Sequence, residues 1–588
     1  MQSSQLRGVI VRALCLIYMF AFASLYWQLP GLYGTNGILP ARRELVCENM
    51  SLSNCFWNQP TLLWFVNSLH LNVDTGMEIL ALLGTALAFL GFVFPSTFSS
   101  SPVMILLYMF YLSLYQWLLF RLMFQSGVVK LTSKCPTWWG LTALDYHYES
   151  QCLPTPLAWY AHRWIPAWVQ KLSVSATFVI EIIIPFFFFI PLASFKRFAF
   201  WSQILLQVLI IATGNYNFFN LLTIVLCLSL LESKTSRKES PLLISLIQRL
   251  LSLLPLAIIG YFSVTYLSVA FKDGIVQTKL AFTSQELEDF IHAAVPVSIV
   301  VVAVFGTLRL MGSLRQAWSS DQNASTLEKF IKTCVTGIFV FLAVVLFGAS
   351  CVPYTAQMDR VTYLNLMTPF HQWHRALDPF HATSSYGLFR RMTGVGGRPE
   401  LVVEGLSKQG QWHTIDFLYK PTDLKTPPMY CAPHQPRLDW QMWFAALGDY
   451  THNPWLISFL YRLLEGRPEV VKLLDEDRYP FSVEPPVQIK VSQFRYHYSD
   501  NNVKDGSWWK REGATNYLQP ISLKTENVVE FLKENKFIGV KETKEKVHPL
   551  LRDSLGKIRT FAETFPGHIF VHGLTLTAVV IALSKSRH

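Results

Sequence analysis

The sequence predicts a multi-pass α-helical membrane protein, followed by a strand-rich, β-sandwich-like soluble domain and a short C-terminal apolar span. Hydrophobic residues make up 51% of the chain and charged residues only 15%, whereas soluble domains carry about 25% charged residues. Several apolar runs are long enough to cross the hydrocarbon core of a bilayer. The block 352–566 is instead polar and Pro-rich and alternates with a period of two, which is typical of strands.

Ten apolar segments are predicted to span the membrane. The first has no small-residue cleavage site after it and is interpreted as a retained signal anchor. The stretch 198–232 is too long for one span and is divided at the polar motif 214–217, with a re-entrant hairpin as the alternative. The predicted spans are 9–27, 77–95, 102–124, 172–193, 198–213, 217–232, 243–270, 291–311, 330–350 and 567–583.

Positive charges at alternate span ends set the predicted orientation. Lys196, Arg197, Arg309 and Arg315 are assigned to the cytosol. The segment 567–588 is read as the final span followed by a short cytosolic tail. The formal net charge of +11 is therefore attributed to topology, and no nucleic-acid partner is predicted. The loops 28–75 and 125–171 and the domain 352–566 then face the lumen.

Two lumenal features follow from this orientation. Asn49 begins an Asn-Met-Ser sequon and is predicted to carry an N-linked glycan. Cys47 with Cys55, and Cys135 with Cys152, are close pairs in lumenal loops and are candidate disulfides. The sequence contains no Cys-x-x-Cys motif, which argues against a thioredoxin-like redox role.

The soluble block carries its own secondary-structure signals. Ile489 and Val491 alternate with polar residues, but Tyr496 and Tyr498 take the opposite parity, which indicates a bulge or a break between strands. Asn453 followed by proline predicts a helix that runs to about residue 464 and stops at a glycine.

The segment 432–444 is the sharpest chemical cluster in the sequence. His434 and Asp439 have the types of a base and its orienting carboxylate, but the chain has no Gly-x-Ser-x-Gly elbow to supply a nucleophile. Two alternatives are an ion pair of Asp439 with Arg437 and an apolar patch that binds a client protein. The candidate client-binding residues are Arg437, Trp440, Trp443, Phe444, Trp508 and Trp509, of which the last two are also typical of a buried core.

Polar residues inside the spans need a reason, because they are costly in a bilayer. Arg121, Glu181, Asn215 and Asn217 are consistent with a polar pocket in the bundle or with interhelical hydrogen bonds, and the second interpretation is favoured. No metal-ligand spacing and no phosphate-binding glycine loop occurs, so neither a metal nor a cofactor is predicted.

Long strings of the sequence resemble the lipase maturation factors. They are segments 19–26, 31–43, 117–132, 136–151, 214–220, 433–447 and 508–511. The resemblance implies a non-enzymatic endoplasmic reticulum membrane protein. It would assist the folding, maturation and export of secreted lipases such as lipoprotein lipase, with a lumenal C-terminal domain that engages the client and with membrane lipid as its other partner.

One departure from the family pattern stands out. Relatives carry a further apolar stretch after the counterpart of Gln116, whereas here Gln116 runs straight into Trp117, as in a chain with an internal deletion. The alternative function is an integral-membrane enzyme that acts on a lipid or quinone-like substrate at the polar groups of the bundle, a hypothesis that rests on fold-level analogy.

Overall fold

Long apolar helices form most of the first two thirds of the chain. The computed structural model describes residues 3–47, 50–95, 102–231, 242–319, 325–356, 360–500, 506–539 and 549–585. The helices of this part are α1 Ser3–Tyr33, α2 Leu52–Asn58, α3 Val73–Val93, α4 Pro102–Thr132, α5 Pro136–Trp139, α6 Ala143–Ser150, α7 Pro156–Trp164, α8 Ala167–Phe178, α9 Ala193–Thr213, α10 Phe219–Cys227, α11 Leu242–Thr265, α12 Ser284–Ser319, α13 Thr326–Thr355 and α14 Arg360–Leu377.

Seven helical segments in the described part of the chain are long and apolar enough to cross a membrane. They are Gln5–Tyr33, Val73–Val93, Ala167–Phe189, Ala193–Thr213, Ser284–Arg315, Thr326–Thr355 and Gly567–Lys585. The multi-pass prediction is therefore confirmed. Each of the other predicted spans, 102–124, 217–232 and 243–270, also overlaps a helix, and the break predicted at 214–217 lies between α9 and α10.

Local sequence signals set several helix ends. Ser325 forms a capping box with Glu328 at the start of α13. The side chain of Asn72 accepts a hydrogen bond from the Thr75 amide at 2.7 Å and caps α3. Beyond α8 the helix continues as a π-helical turn, Val179–Ile183, and a 3-10 segment, Ile184–Phe189, that contains Pro185.

The C-terminal region contains one four-stranded antiparallel sheet in the order β4-β3-β5-β6. A separate two-stranded hairpin lies in the helical part. The elements are β1 Ala270–Lys272, β2 Ile275–Gln277, β3 Arg398–Leu406, β4 Trp412–Ile415, α15 Arg437–Ala445, α16 Pro454–Leu464, α17 Pro468–Val471, β5 Gln488–Tyr498, β6 Trp509–Ile521, α18 Glu526–Glu534, α19 Pro549–Glu563 and α20 Gly567–Lys585.

Helices cover both faces of this sheet, where the predicted sandwich would have had a second sheet. Leu401 and Val403 of β3 pack with the buried face of α16. Val402, between them, packs on the other face with Tyr148 of α6 and Ala158 of α7. A strand with consecutive apolar residues is typical of a sheet that is buried on both sides. The strand-bearing C-terminal region itself is as predicted.

Two local predictions for this region are confirmed. Strand β5 has register shifts against β6, one of them between Gln493 and Arg495, where the change of parity predicted a bulge. Helix α16 begins at Pro454 and ends at Leu464, as the Asn-Pro signal indicated.

The two regions share packing on both sides of the predicted boundary at residue 352. Phe370 of α14, together with Tyr386, Phe389 and Met392, packs against the core of the membrane helices. In the other direction, Leu32 and Ile38, which follow the first span, are buried in the core of the C-terminal sheet. The sheet begins at Arg398, well after the predicted boundary. Residues near the start of the chain and residues of the C-terminal region therefore share one core.

One predicted disulfide is present and the other is wrong. Cys47 and Cys55 are bonded to each other, whereas Cys135 and Cys152 are free, buried thiols. Cys135 packs in the core of the membrane helices, and the Cys152 carbonyl accepts a hydrogen bond from Arg398 on the sheet. Each cysteine is therefore held in a different packing environment. Asn49 lies outside the described residues.

A buried charge network fixes the sheet to the membrane region. Glu400 accepts from Arg398 Nε at 2.8 Å and lies 2.8 Å from Lys420 Nζ, and all three side chains are fully buried. Arg398 also donates to the backbone carbonyls of residues 149, 151 and 152. Burial alone would raise the pKa of Glu400, but the charges of Lys420 and Arg398 outweigh it and lower that pKa.

We expect Glu400→Gln to destabilise the C-terminal region by about 3–5 kcal/mol, because it leaves two buried cations without a counter-charge. The matched control is Glu404→Gln on the same strand, where Glu404 and Lys490 are 3.3 Å apart and both partly exposed; its effect should stay below about 1 kcal/mol. Thermal unfolding in detergent, followed by near-ultraviolet circular dichroism, measures both. Equal effects of the two variants would contradict the central role of this network.

Candidate functional site at the domain junction

A loop of the C-terminal region, residues 430–437, is held against the first membrane helix. Ser24 Oγ of α1 forms a 3.0 Å hydrogen bond with His434 Nδ1 and accepts another from the Gln435 amide at 3.0 Å. Gln28, one turn further along, donates to the Gln435 carbonyl at 2.8 Å and accepts from the Arg437 amide at 2.7 Å. The loop backbone therefore reaches its partners through side chains of a membrane helix.

Asn215, in the break between α9 and α10, binds the other side of this loop. Its Nδ2 donates to the Met429 carbonyl at 2.7 Å, and its Oδ1 accepts from the amides of Cys431 and Ala432 at 3.0 and 3.3 Å. Gly214, the preceding residue, has no room for a Cβ, which would lie 2.2 Å from Gln151 Oε1. The Asn215 side chain in the polar break thus binds the backbone of this loop. Hydrogen bonds to neighbouring helices had been expected there.

The final membrane helix closes the third side of the loop. Tyr419 Oη and His568 Nδ1 of α20 are 2.9 Å apart, and His572 Nε2 donates to the Ala432 carbonyl at 3.1 Å. Gly567 lies against the His434 ring, which a Cβ would approach to 2.6 Å. We call residues 430–437, with Ser24, Gln28, Asn215, His568 and His572, the junction site.

The predicted catalytic pair is not formed. Asp439 is buried, and its Oδ1 accepts from the Tyr419 and Lys420 amides at 3.0 and 2.9 Å. Burial raises its pKa to about 6, although these hydrogen bonds oppose the shift. Burial lowers the pKa of His434 to about 3, so its ring is neutral in the folded protein. Arg437 is exposed while Asp439 is buried, so the predicted ion pair between them is also wrong.

The predicted client-binding residues divide between the junction and the surface. The Trp443 indole donates to the Ser150 carbonyl at 2.9 Å, and Trp440 packs against the ring of Tyr216. Phe444 is 48% exposed, and its neighbours Leu447 and Tyr450 are 42% and 41% exposed. The sequence did not single out the last two, because the end of α15 was not predicted. We call these three residues the α15 patch.

The Trp508-Trp509 pair is mostly core. Trp509 is only 1% exposed and packs against Tyr498 at 4.5 Å between ring centroids, so its prediction as a client-binding residue is wrong. Trp508 is half-buried and lies 4.8 Å from the ring of Trp159 in α7. Trp509 is the first residue of strand β6. Successive side chains of a strand point to opposite faces, which explains why the two neighbouring indoles differ in burial.

The polar residues within the bundle are engaged with one another. Arg121 donates to the Ser350 carbonyl of α13 at 2.6 Å, which agrees with interhelical hydrogen bonding. Glu181 forms a buried ion pair with Lys130 of α4, a partner that the sequence pattern did not reveal. An apolar cavity of about 280 Å³ in the bundle is lined in part by Leu131 and Ile182, the chain neighbours of Lys130 and Glu181, but not by the ion pair itself. Among the described residues, no three His, Cys, Asp or Glu side chains are grouped as metal ligands.

Comparison with known proteins identifies the family. The model described as the lipase maturation factor transmembrane domain matches residues 5–116 and 114–238, and the lipase maturation factor C-terminal domain matches residues 382–519. The chain is 38% identical to lipase maturation factor 2 of Gallus gallus, over 99% of this chain and 90% of that protein. The chain belongs to the lipase maturation factor family.

Two human members of the family are also similar to this chain over most of its length. Lipase maturation factor 2 of Homo sapiens is 38% identical, with 88% of this chain and 82% of that protein aligned. Lipase maturation factor 1 of Homo sapiens is 24% identical, with 88% of each chain aligned. The match to the transmembrane model is split at Gln116, the position of the predicted internal deletion. No solved structure matches this chain.

Three of the family strings meet where the C-terminal domain contacts the membrane helices. Segment 147–151 supplies carbonyls that Arg398 and Trp443 bind, segment 214–220 supplies Asn215, and segment 433–447 supplies part of the loop 430–437. These strings are far apart in the chain and come from both regions. In this lipase maturation factor they join the C-terminal domain to the membrane helices.

We expect Asn215→Ala to release the loop from the membrane region, because three backbone groups lose their partner at once. Leaving buried backbone groups unpaired costs about 1–3 kcal/mol each. Hydrogen exchange at the Cys431 and Ala432 amides should therefore accelerate by at least about tenfold. Asn217→Ala is the control, since Asn217 is exposed and accepts only from the Phe219 amide. Unchanged exchange in the Asn215 variant would show that the loop is held by other contacts.

Proposed function

We propose that this chain is a non-enzymatic maturation factor of the endoplasmic reticulum membrane, which assists the folding and export of secreted lipases such as lipoprotein lipase. The observation that carries the proposal is near-full-length similarity to proteins named lipase maturation factor 2. The fold supports it: the C-terminal domain is fixed to the membrane helices and presents apolar residues to the aqueous side.

The disulfide supports a lumenal C-terminal domain. Disulfides persist in oxidising compartments, and the Cys47–Cys55 bond lies in the segment that follows α1. Leu32, in the last turn of α1, and Ile38, just after it, are buried in the C-terminal core, and Arg462 of α16 donates to the Gly37 carbonyl. We therefore place both parts on one side of the membrane, whatever the number of spans between them.

We assign client binding to the α15 patch. Exposed apolar side chains that lie close together are typical of protein interaction sites. Phe444 lies in the last turn of α15, Leu447 follows the end of this helix, and Tyr450 begins a 3-10 turn, and all three side chains are exposed. Trp443 supports the ring of Phe444 from below, at 4.9 Å between centroids. Three exposed apolar side chains support a modest affinity, as in a transient complex. This suits a maturation factor, which must release its client.

The enzyme hypothesis ranks second. It requires polar groups in the bundle that are available to a substrate, and the observations in its favour are the apolar cavity lined by Leu131 and Ile182 and the buried Lys130–Glu181 pair. However, these two side chains neutralise each other, and both ends of the Asn215 amide are used by the 429–432 backbone. The similarity to maturation factors therefore weighs more.

Replacing the α15 patch should abolish client handling without unfolding the domain. We expect Phe444→Asp combined with Leu447→Asp to reduce co-precipitation with newly made lipoprotein lipase by about tenfold or more, since exposed hot-spot residues contribute about 2 kcal/mol or more. Secreted lipase activity should fall in parallel. The matched control is Val483→Asp with Leu523→Asp, two exposed apolar positions of the same domain outside the patch. Equal capture by both double variants would rule out the α15 patch.

A glycosylation scan tests the compartment. Gln409→Asn with Gln411→Thr creates a sequon in the exposed turn between β3 and β4. We expect this site to acquire an endoglycosidase-sensitive glycan in microsomes, because sequons are modified only on the lumenal side. Asn323 begins a natural Asn-Ala-Ser sequon between the predicted spans 291–311 and 330–350, on the side predicted to be cytosolic, and should stay unmodified. An unmodified engineered sequon in a folded, disulfide-bonded protein would overturn the lumenal assignment.

A further inference from the structure

Helix α19 (Pro549–Glu563), just before the final span, has one face that packs on the protein. Leu555 and Ala562 are buried on this face. Arg559 donates to the Tyr26 carbonyl of α1 at 2.6 Å and to Glu78 Oε1 of α3 at 3.0 Å. Lys472 of the C-terminal domain pairs with Glu563 at the end of the helix. The helix is therefore fixed across the ends of α1 and α3.

A second face of α19 is apolar and exposed. Leu551, Ile558, Phe561 and, just past the helix, Phe565 are 39%, 44%, 64% and 39% exposed. Their spacing brings them onto one stripe of a helix with a period of about 3.6 residues. Ser554 lies within the same stripe and is exposed. We call these residues the α19 stripe.

The third face is polar and borders the stripe at Phe561. It carries the residues Asp553, Lys557, Thr560 and Thr564. A helix that is polar over most of its surface, with a strongly apolar stripe and a charged face opposite, is typical of helices that lie in the plane of a membrane interface.

The α19 stripe continues directly into the exposed side of the final span. Phe565 is followed one turn later by Ile569, and Leu576, Val580 and Leu583 continue the exposed apolar side of α20. Helix α20 starts at Gly567, only two residues after Phe565. The Trp27 indole, in the last two turns of α1, donates to the Phe565 carbonyl at 3.0 Å, which fixes this turn against the first span. Phe565 thus lies between α19 and the start of the final span.

We propose that α19 is an interfacial helix whose apolar stripe is embedded in the leaflet on the side of the C-terminal domain. The occupant of the stripe is lipid, at the boundary of headgroups and acyl chains. The Arg559–Glu78 and Lys472–Glu563 contacts then connect the embedded helix to the C-terminal domain. Through them the bilayer surface sets the tilt of this domain, together with its α15 patch.

Spin labels report the surroundings of each face in the full-length protein. The background is Cys15→Ala with Cys334→Ser, which removes the two free cysteines that are not buried. Phe561→Cys and Ser554→Cys place labels on the stripe, and Lys557→Cys places the control label on the polar face. The protein is reconstituted in phosphatidylcholine vesicles, and power-saturation spectroscopy measures access of oxygen and of a water-soluble nickel chelate.

We expect the oxygen-to-nickel accessibility ratio to be about fivefold or more higher at positions 554 and 561 than at 557, because oxygen partitions into the apolar interface where the helix is embedded. Ser554→Cys removes no apolar side chain, so it reports on the stripe even if the Phe561 variant folds poorly. Ratios at 554 and 561 equal to that at 557 would place the stripe in water and overturn the proposal. Exclusion of both reagents from the stripe would mean that protein covers it, which overturns it as well.

Discussion

The Arg398–Glu400–Lys420 network is the constraint on which the rest of the architecture depends. A carboxylate between two cations has no access to water here, so its position is determined by both partners at once. Because Arg398 also binds the carbonyls of residues 149, 151 and 152, strand β3 has one permitted register against the segment after α6. That register determines where the sheet, the α15 patch and the loop 430–437 lie relative to the membrane.

The junction site extends this constraint to two more helices and to the break between two others. Ser24 and Gln28 come from the first span, Asn215 from a break between two spans, and His568 and His572 from the last. Side-chain amides and hydroxyls suit this purpose, since they bind backbone groups without introducing a charge at the membrane boundary. The C-terminal domain is thus built onto the helical bundle and is not connected to it by a flexible linker.

Patterns of short range were enough to predict much of this fold. Apolar length gave the spans, the Asn-Pro signal gave α16, and the parity change gave the bulge in β5. Such patterns could not predict contacts between segments that are distant in the sequence. Nothing near Asn215 in the sequence indicates that its amide binds residues 429–432. The short spacing of Cys135 and Cys152 gave no sign that Cys135 packs in the core of the membrane helices while the Cys152 carbonyl binds Arg398. Trp509 was ambiguous for the same reason, because the cover on its face of the sheet comes from α6 and α7.

The shared core of the two chain ends has a consequence for biosynthesis. Leu32 and Ile38 leave the ribosome early, yet the strands that bury them, such as β5 with Ile489, are made several hundred residues later. At about 5–20 residues per second, the wait is on the order of half a minute. During that time the start of the chain is an incomplete domain with uncovered apolar groups. This protein therefore exposes apolar groups during its own synthesis, as do the nascent lipases that we propose as its clients. It needs protection itself until its C-terminal strands are made.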